Sequence, residues 1–187
     1  RAERPVRKAS KTAPGSGIVL KRHTRDPGQA NSTILRVLTH DVVLRHLRLR
    51  GGTDRASDPD RFDTGLTIAN GASNVIVDGL ELVSGQASAT GGAILNDGKL
   101  EVTDSTFIGN NGANGGAIGT SAGSTSKIED STFSNNTASA VGGGALISFG
   151  TTIIGRSAFL NNEAPVNGGG INIQPGGDVT ISNSTIA

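Results

Sequence analysis

Four arginines and five aspartates are the residues of this chain with recognisable chemistry to offer. Arg36, Arg45, Arg48 and Arg50 fall within fifteen residues of one another. Guanidinium groups so placed pair bidentately with carboxylates, so the row is a candidate polyanion-binding surface. Asp54, Asp58, Asp60 and Asp63 crowd into one Pro- and Gly-punctuated stretch, residues 50–62 and their border, and Asp78 follows on a strand-like run. Ca²⁺ takes six to eight oxygen ligands, and these five carboxylates are the candidate set for it; Arg55 and Arg61 are the competing partners that would instead neutralise the loop. Their spacing fits no EF-hand, and no other cofactor is called for by any motif. The three histidines, at 23, 40 and 46, form no metal or acid/base constellation. No catalytic residue is assigned.

Composition narrows what can position these groups. The 187 residues contain no Cys, Met, Trp or Tyr and only five Phe, against 28 Gly, so neither a disulfide framework nor a large aromatic core carries the fold. Neutral sugars lose their usual Trp and Tyr stacking platforms by the same count. Net charge is +1, yet residues 1–63 hold 14 of the 17 bases against seven acids, whereas residues 64–187 hold three bases against nine. A basic end and an acidic end suit either a polyanion ligand or copies of the chain stacked end to end. Nucleic acid is the weaker form of the first idea, because the basic residues 1–16 carry no interleaved aromatics. No apolar run is long enough to span a membrane.

The strongest signal is a repeat. Phe107, Phe133 and Phe159 are separated by 26 residues each, and Ile186 follows 27 later. They sit in Asp104-Ser105-Thr106-Phe107, Asp130-Ser131-Thr132-Phe133, Arg156-Ser157-Ala158-Phe159 and Asn183-Ser184-Thr185-Ile186, each after an alternating apolar stretch that reads as a strand. Glycine-rich turns precede short apolar strands at Gly91-Gly92-Ala93-Ile94, Gly115-Gly116-Ala117-Ile118, Gly143-Gly144-Ala145-Leu146 and Gly169-Gly170-Ile171. Such a unit cannot bury its apolar face alone and must stack on its neighbours. Stacking predicts an interior column of Phe107, Phe133 and Phe159 and an amide ladder of Asn110, Asn136 and Asn162. Residues 40–49 match residues 73–82 at an offset of 33, the excess being a loop over 50–62. The expectation is an all-β, right-handed parallel β-helix of about six coils over residues 17–187, with a flexible basic arm at 1–16 and a first strand at 17–25 covering the N-terminal edge.

Two resemblances follow from these runs. Val42-Val43-Leu44-Arg45-His46-Leu47-Arg48-Leu49-Arg50, the acidic loop and Gly71-Ala72-Ser73-Asn74-Val75-Ile76-Val77-Asp78, within residues 33–84, resemble the bacterial pectate lyases. Residues 85–187 resemble the Gly-Gly-Ala-Ile and Phe-x-x-Asn repeats of polymorphic outer-membrane and other adhesin-like surface proteins. Both imply a parallel β-helix at the cell surface or outside the cell. The first also implies Ca²⁺-dependent β-elimination on acidic polysaccharide. Asp78 matches the Asp of that family's Asp-His pair, while Gly79 stands in place of the His, and Leu82, Val83 and Ser84 replace the acids expected next. The leading expectation is therefore a non-catalytic scaffold for display, adhesion or self-assembly. A pectate-type lyase or a module binding acidic polysaccharide is the alternative.

Overall fold

The computed structural model describes residues 18–20, 33–50, 64–87 and 90–187, and every regular element among them is a β-strand. The strands wind into a parallel β-solenoid with three faces. The first face stacks Thr33–Val37, Thr64–Ile68, Ile94–Asn96, Ile118–Thr120, Leu146–Ser148 and Ile171–Ile173. The second stacks Val42–Arg45, Val75–Asp78, Lys99–Thr103, Thr125–Glu129, Thr151–Gly155 and Asp178–Ser182. The third stacks Arg48–Arg50, Glu81–Val83, Thr106–Ile108, Thr132–Ser134, Ala158–Leu160 and Thr185–Ile186. Six strands per face make six coils and about five turns between the first strand and the last. Two short strands, Asn111–Gly112 and Thr137–Ala138, add a minor ladder beyond the third face. At the N-terminal coil, Ile18–Leu20 pairs antiparallel with Thr33–Val37 and occupies the first-face edge.

Register explains why the sequence folds this way. Lys99-Leu100-Glu101-Val102-Thr103 alternates outward and inward, burying Leu100 and Val102. Parallel pairing then sets like on like: Leu44, Val77, Val102, Ile128 and Ile154 form one interior column, and Leu35, Leu66, Ile94, Ile118 and Leu146 another. Phe107, Phe133 and Phe159 lie in a third, with ring centroids 4.5 Å apart and planes within 5°. All three rings are fully buried, and Leu82 and Ile186 continue the column on either side. Each buried apolar side chain contributes on the order of 2 kcal/mol by removal from water, so many repeated small contacts replace a single large core.

Interior polar groups are paired across coils, as burial requires. Asn136 is fully buried; its backbone N–H donates to Asn162 Oδ1 at 3.0 Å and its Nδ2 to the same oxygen at 2.9 Å and to the Phe107 carbonyl at 3.1 Å. Where the first face turns into the second, Asn96 Nδ2 donates to Ser126 Oγ at 2.8 Å, Thr120 Oγ1 donates to Ser148 Oγ at 3.0 Å, and Ser148 shares a 3.1 Å hydrogen bond with Thr152.

A second polar ladder, of Ser105, Ser131, Ser157 and Ser184, runs at the corner between the second and third faces. Backbone N–H groups of Leu80, Ser105, Ser131 and Ser157 donate to the hydroxyl one coil on, at 3.1 to 3.2 Å. Each hydroxyl in turn donates to a carbonyl two residues upstream, Thr103, Glu129, Gly155 or Ser182. The glycine-rich corners answer a different need. A Cβ at Gly116 would lie 2.2 Å from the Gly144 carbonyl oxygen, so the backbones of adjacent coils touch there and admit no side chain.

Candidate functional site

Among the described residues, the side chains free for chemistry are those of the outward columns and the corners, because the inward columns are consumed by packing. The four arginines do not make one patch. Arg36 is exposed on the first face, Arg45 on the second, and Arg48 and Arg50 on the third. Arg45 Nε lies 3.0 Å from Asp78 Oδ2, and Arg48 Nε 3.1 Å from Glu81 Oε2, each pair joining coil one to coil two in the strand register. Arg36 and Arg50 have no ion-pair partner among the described residues.

Asp54, Asp58, Asp60 and Asp63 lie outside the described residues. Asp78, the fifth of the set, spends one oxygen on Arg45 and receives the Thr103 hydroxyl on the other at 3.4 Å. A carboxylate turned to a guanidinium in this way does not fit the start of a six-to-eight-oxygen Ca²⁺ shell, and no cluster of three or more metal-binding side chains occurs among the described residues.

Gly79, where the lyase resemblance requires histidine, has φ 63° in the corner that His46, Asp104, Asp130, Arg156 and Asn183 also take with left-handed backbone. A Cβ there would meet His46 Nδ1 at 2.7 Å. The glycine is therefore explained by its neighbour one coil below.

The densest outward chemistry is an ionic strip on the second face that the linear sequence does not announce. Lys127 Nζ bridges Glu101 at 3.2 Å and Glu129 at 2.8 Å; Arg156 holds Asp130 through two contacts of 2.8 Å and reaches Glu129 at 3.5 Å. The strip ties coils three, four and five together. The hydrogen bond from Lys127 holds the Glu129 carboxyl below its ordinary range, and that from Arg156 does the same to Asp130. Glu129, then Glu101, raise Lys127. Each pair is solvent-exposed, so the strip sets register and surface charge more than stability. Beside it, a shallow groove of about 180 Å³ is rimmed by Asn74, Lys99, Glu101, Thr125 and Lys127 over a floor of Val75 and Leu100. The spacing of 26 between Glu101 and Lys127 was the available signal for the strip, since it equals the coil repeat.

Fold and ladders together define a repeat protein of the parallel β-solenoid class, in which each coil contacts its neighbours alone. Residues 130–148 match the Chlamydia polymorphic membrane protein repeat. No curated protein and no solved structure matches the chain. The matched stretch contains the fourth coil's Asp130-Ser131-Thr132-Phe133, the ladder residue Asn136 and the corner Gly143-Gly144, so the similarity runs through residues whose role in this chain is structural.

Proposed function

We propose that the chain is a stretch of a surface-exposed, adhesin-like β-solenoid, a scaffold that carries its outward faces away from the cell rather than an enzyme. The observation behind this reading is the coincidence of the repeat match at 130–148 with the ladder residues Ser131, Phe133 and Asn136. What this chain has in common with the polymorphic membrane protein repeat is the part of a coil from the third-face strand Thr132–Ser134 to the next first-face strand Leu146–Ser148, and a unit iterated along an axis makes a rod that displays side chains. The lyase alternative is less well supported: the histidine is replaced by Gly79, where a side chain would meet the His46 ring, and Asp78 is engaged by Arg45.

The reading is tested on intact cells of the organism that makes the protein, using an antibody raised against the folded chain. Labelling of unpermeabilised cells that disappears after external protease is expected. Labelling that requires permeabilisation overturns the surface assignment.

A further inference from the structure

We infer that, in the exported chain, Asn135 and Asn183 are sites of N-linked glycosylation, with the glycans bordering the third face; this rests on the surface reading above. Asn135-Asn136-Thr137 and Asn183-Ser184-Thr185 both have the Asn-x-Thr form that N-glycosylation requires. Sequence alone gives such matches a high false-positive rate, and the structure supplies the discrimination.

Asn135 and Asn183 are exposed, at left-handed corners with φ 55° and 49°, and neither side-chain amide is hydrogen-bonded to a described residue. Asparagine tolerates that backbone better than most residues, and at a corner its side chain projects from the solenoid. By contrast Asn136, the adjacent residue, is fully buried with both amide groups used by the ladder. Ala138 also denies Asn136 the Asn-x-Thr form, so sequence and burial agree in leaving Asn135 as the acceptor of the two. Asn161 provides an internal control. It occupies the corner of Asn135 one coil later, exposed and at φ 52°, but Glu163 stands where the hydroxyl residue must be.

The co-reactant is a lipid diphosphate-linked oligosaccharide. The Asn Nδ2 forms a bond to the sugar's anomeric carbon as the bond from that carbon to the diphosphate oxygen breaks, and the amide proton is lost to base. Asn135 follows the third-face strand Thr132–Ser134, and Asn183 precedes Thr185–Ile186. Glycans at these positions flank opposite sides of the third face, the one on Asn183 in the corner column that also holds Asp130 and Arg156 of the ionic strip.

The test isolates the native chain separately from the surface fraction and from the interior of the producing cells, and reads the Asn135, Asn161 and Asn183 peptides by mass spectrometry. Glycan mass on Asn135 and Asn183, none on Asn161, and loss of that mass in Asn135→Gln and Asn183→Gln chains of unchanged melting temperature are expected. Bare Asn135 and Asn183 in surface-located chain overturn the inference and leave the surface reading standing. Chain found only inside the cell with bare asparagines overturns both. Glycan on Asn161 as well removes the Asn-x-Thr basis and overturns the inference. Glycosylated chain confined to the interior overturns the surface reading alone.

Discussion

The side-chain oxygen of Asn136 accepts both the backbone N–H and the Nδ2 of Asn110, each at 2.9 Å, so a single carbonyl satisfies two donors on the coil before it. The same side chain donates to the Phe107 carbonyl, which makes Asn136 the rung with most partners in the interior ladder. Replacement by alanine leaves the buried Asn110 N–H without its acceptor, takes from Asn110 Nδ2 one of its two acceptors, the Leu82 carbonyl remaining, and removes the donor to the Phe107 carbonyl. Asn136→Ala is expected to lower the unfolding free energy by about 3 kcal/mol or more, by denaturant titration with circular dichroism. Asn162→Ala, whose site is less buried, is expected to cost distinctly less. Equal costs would show that the rungs act independently of their burial.

Phe133 lies between two rings at 4.5 Å, so its removal empties the middle of the column. Phe133→Ala is expected to destabilise by about 3 to 5 kcal/mol, the range for loss of a buried aromatic. Leu82 already occupies the same column two coils earlier, beside Phe107, and shows that a branched aliphatic side chain fits the interior there. Phe133→Leu is accordingly expected to cost about 1 to 2 kcal/mol. Thermal unfolding of the two variants checks the ratio.

How much of this was legible depended on whether a residue repeats at the coil period. Phe107, Phe133 and Phe159 and the asparagines at 110, 136 and 162 do so without interruption, because parallel pairing in fixed register places identical residues over one another. The serine ladder was equally visible, since Ser is the residue kept in Asp-Ser-Thr-Phe, Arg-Ser-Ala-Phe and Asn-Ser-Thr-Ile, yet those runs read as strand and drew attention to the phenylalanines. The offset of 33 between residues 40–49 and 73–82 placed Arg45 over Asp78 and Arg48 over Glu81. Read along the chain, the arginines suggest a ligand surface; read across coils, two of them have carboxylate partners. The buried group of Asn96, Thr120, Ser126, Ser148 and Thr152 was not legible, because each coil contributes a different polar residue and no motif recurs.

Gly79 offers a test of why the histidine of the resembling family is missing. Left-handed backbone alone costs an ordinary residue about 1 kcal/mol, and Asp104 and Asp130 bear that cost in the same corner. The added burden is the contact with His46. Gly79→Asn is expected to destabilise the wild-type chain by about 1 to 2 kcal/mol and a His46→Gly background by less, a coupling that a double-mutant cycle measures. Strict additivity would mean that His46 is not the obstacle.

Acid should weaken the ionic strip. Glu129 and Asp130 have folded pKa values below the ordinary 4.5 and 3.8. A depressed carboxyl pKa contributes stability that is complete above the unfolded value and is lost as pH falls through the folded one. Melting temperatures measured from pH 7 downward should therefore begin to fall near pH 4.5, and Arg156→Gln, which frees Asp130, should flatten the part of the decline that lies below about pH 4. The size is modest for exposed pairs, and added salt reduces it further. An Arg156→Gln profile parallel to wild type would exclude the pair as a contributor.

Asn172 points to a stabilising change. It is buried, with 8% of its surface exposed, and its Nδ2 has no hydrogen-bond partner among the described residues. Its register neighbour on the preceding coil is Ile147, itself buried, and the same column passes through Leu95 in coil three. An unpaired buried donor costs about 1 to 3 kcal/mol, whereas an aliphatic side chain of similar volume would extend the packing of Ile147. Asn172→Leu is expected to raise the unfolding free energy by about 1 kcal/mol, read as a shift in denaturant midpoint at constant slope. A lower midpoint would mean that the amide acts through contacts other than the one it lacks here, and that the first face requires a polar residue at this position of the sixth coil.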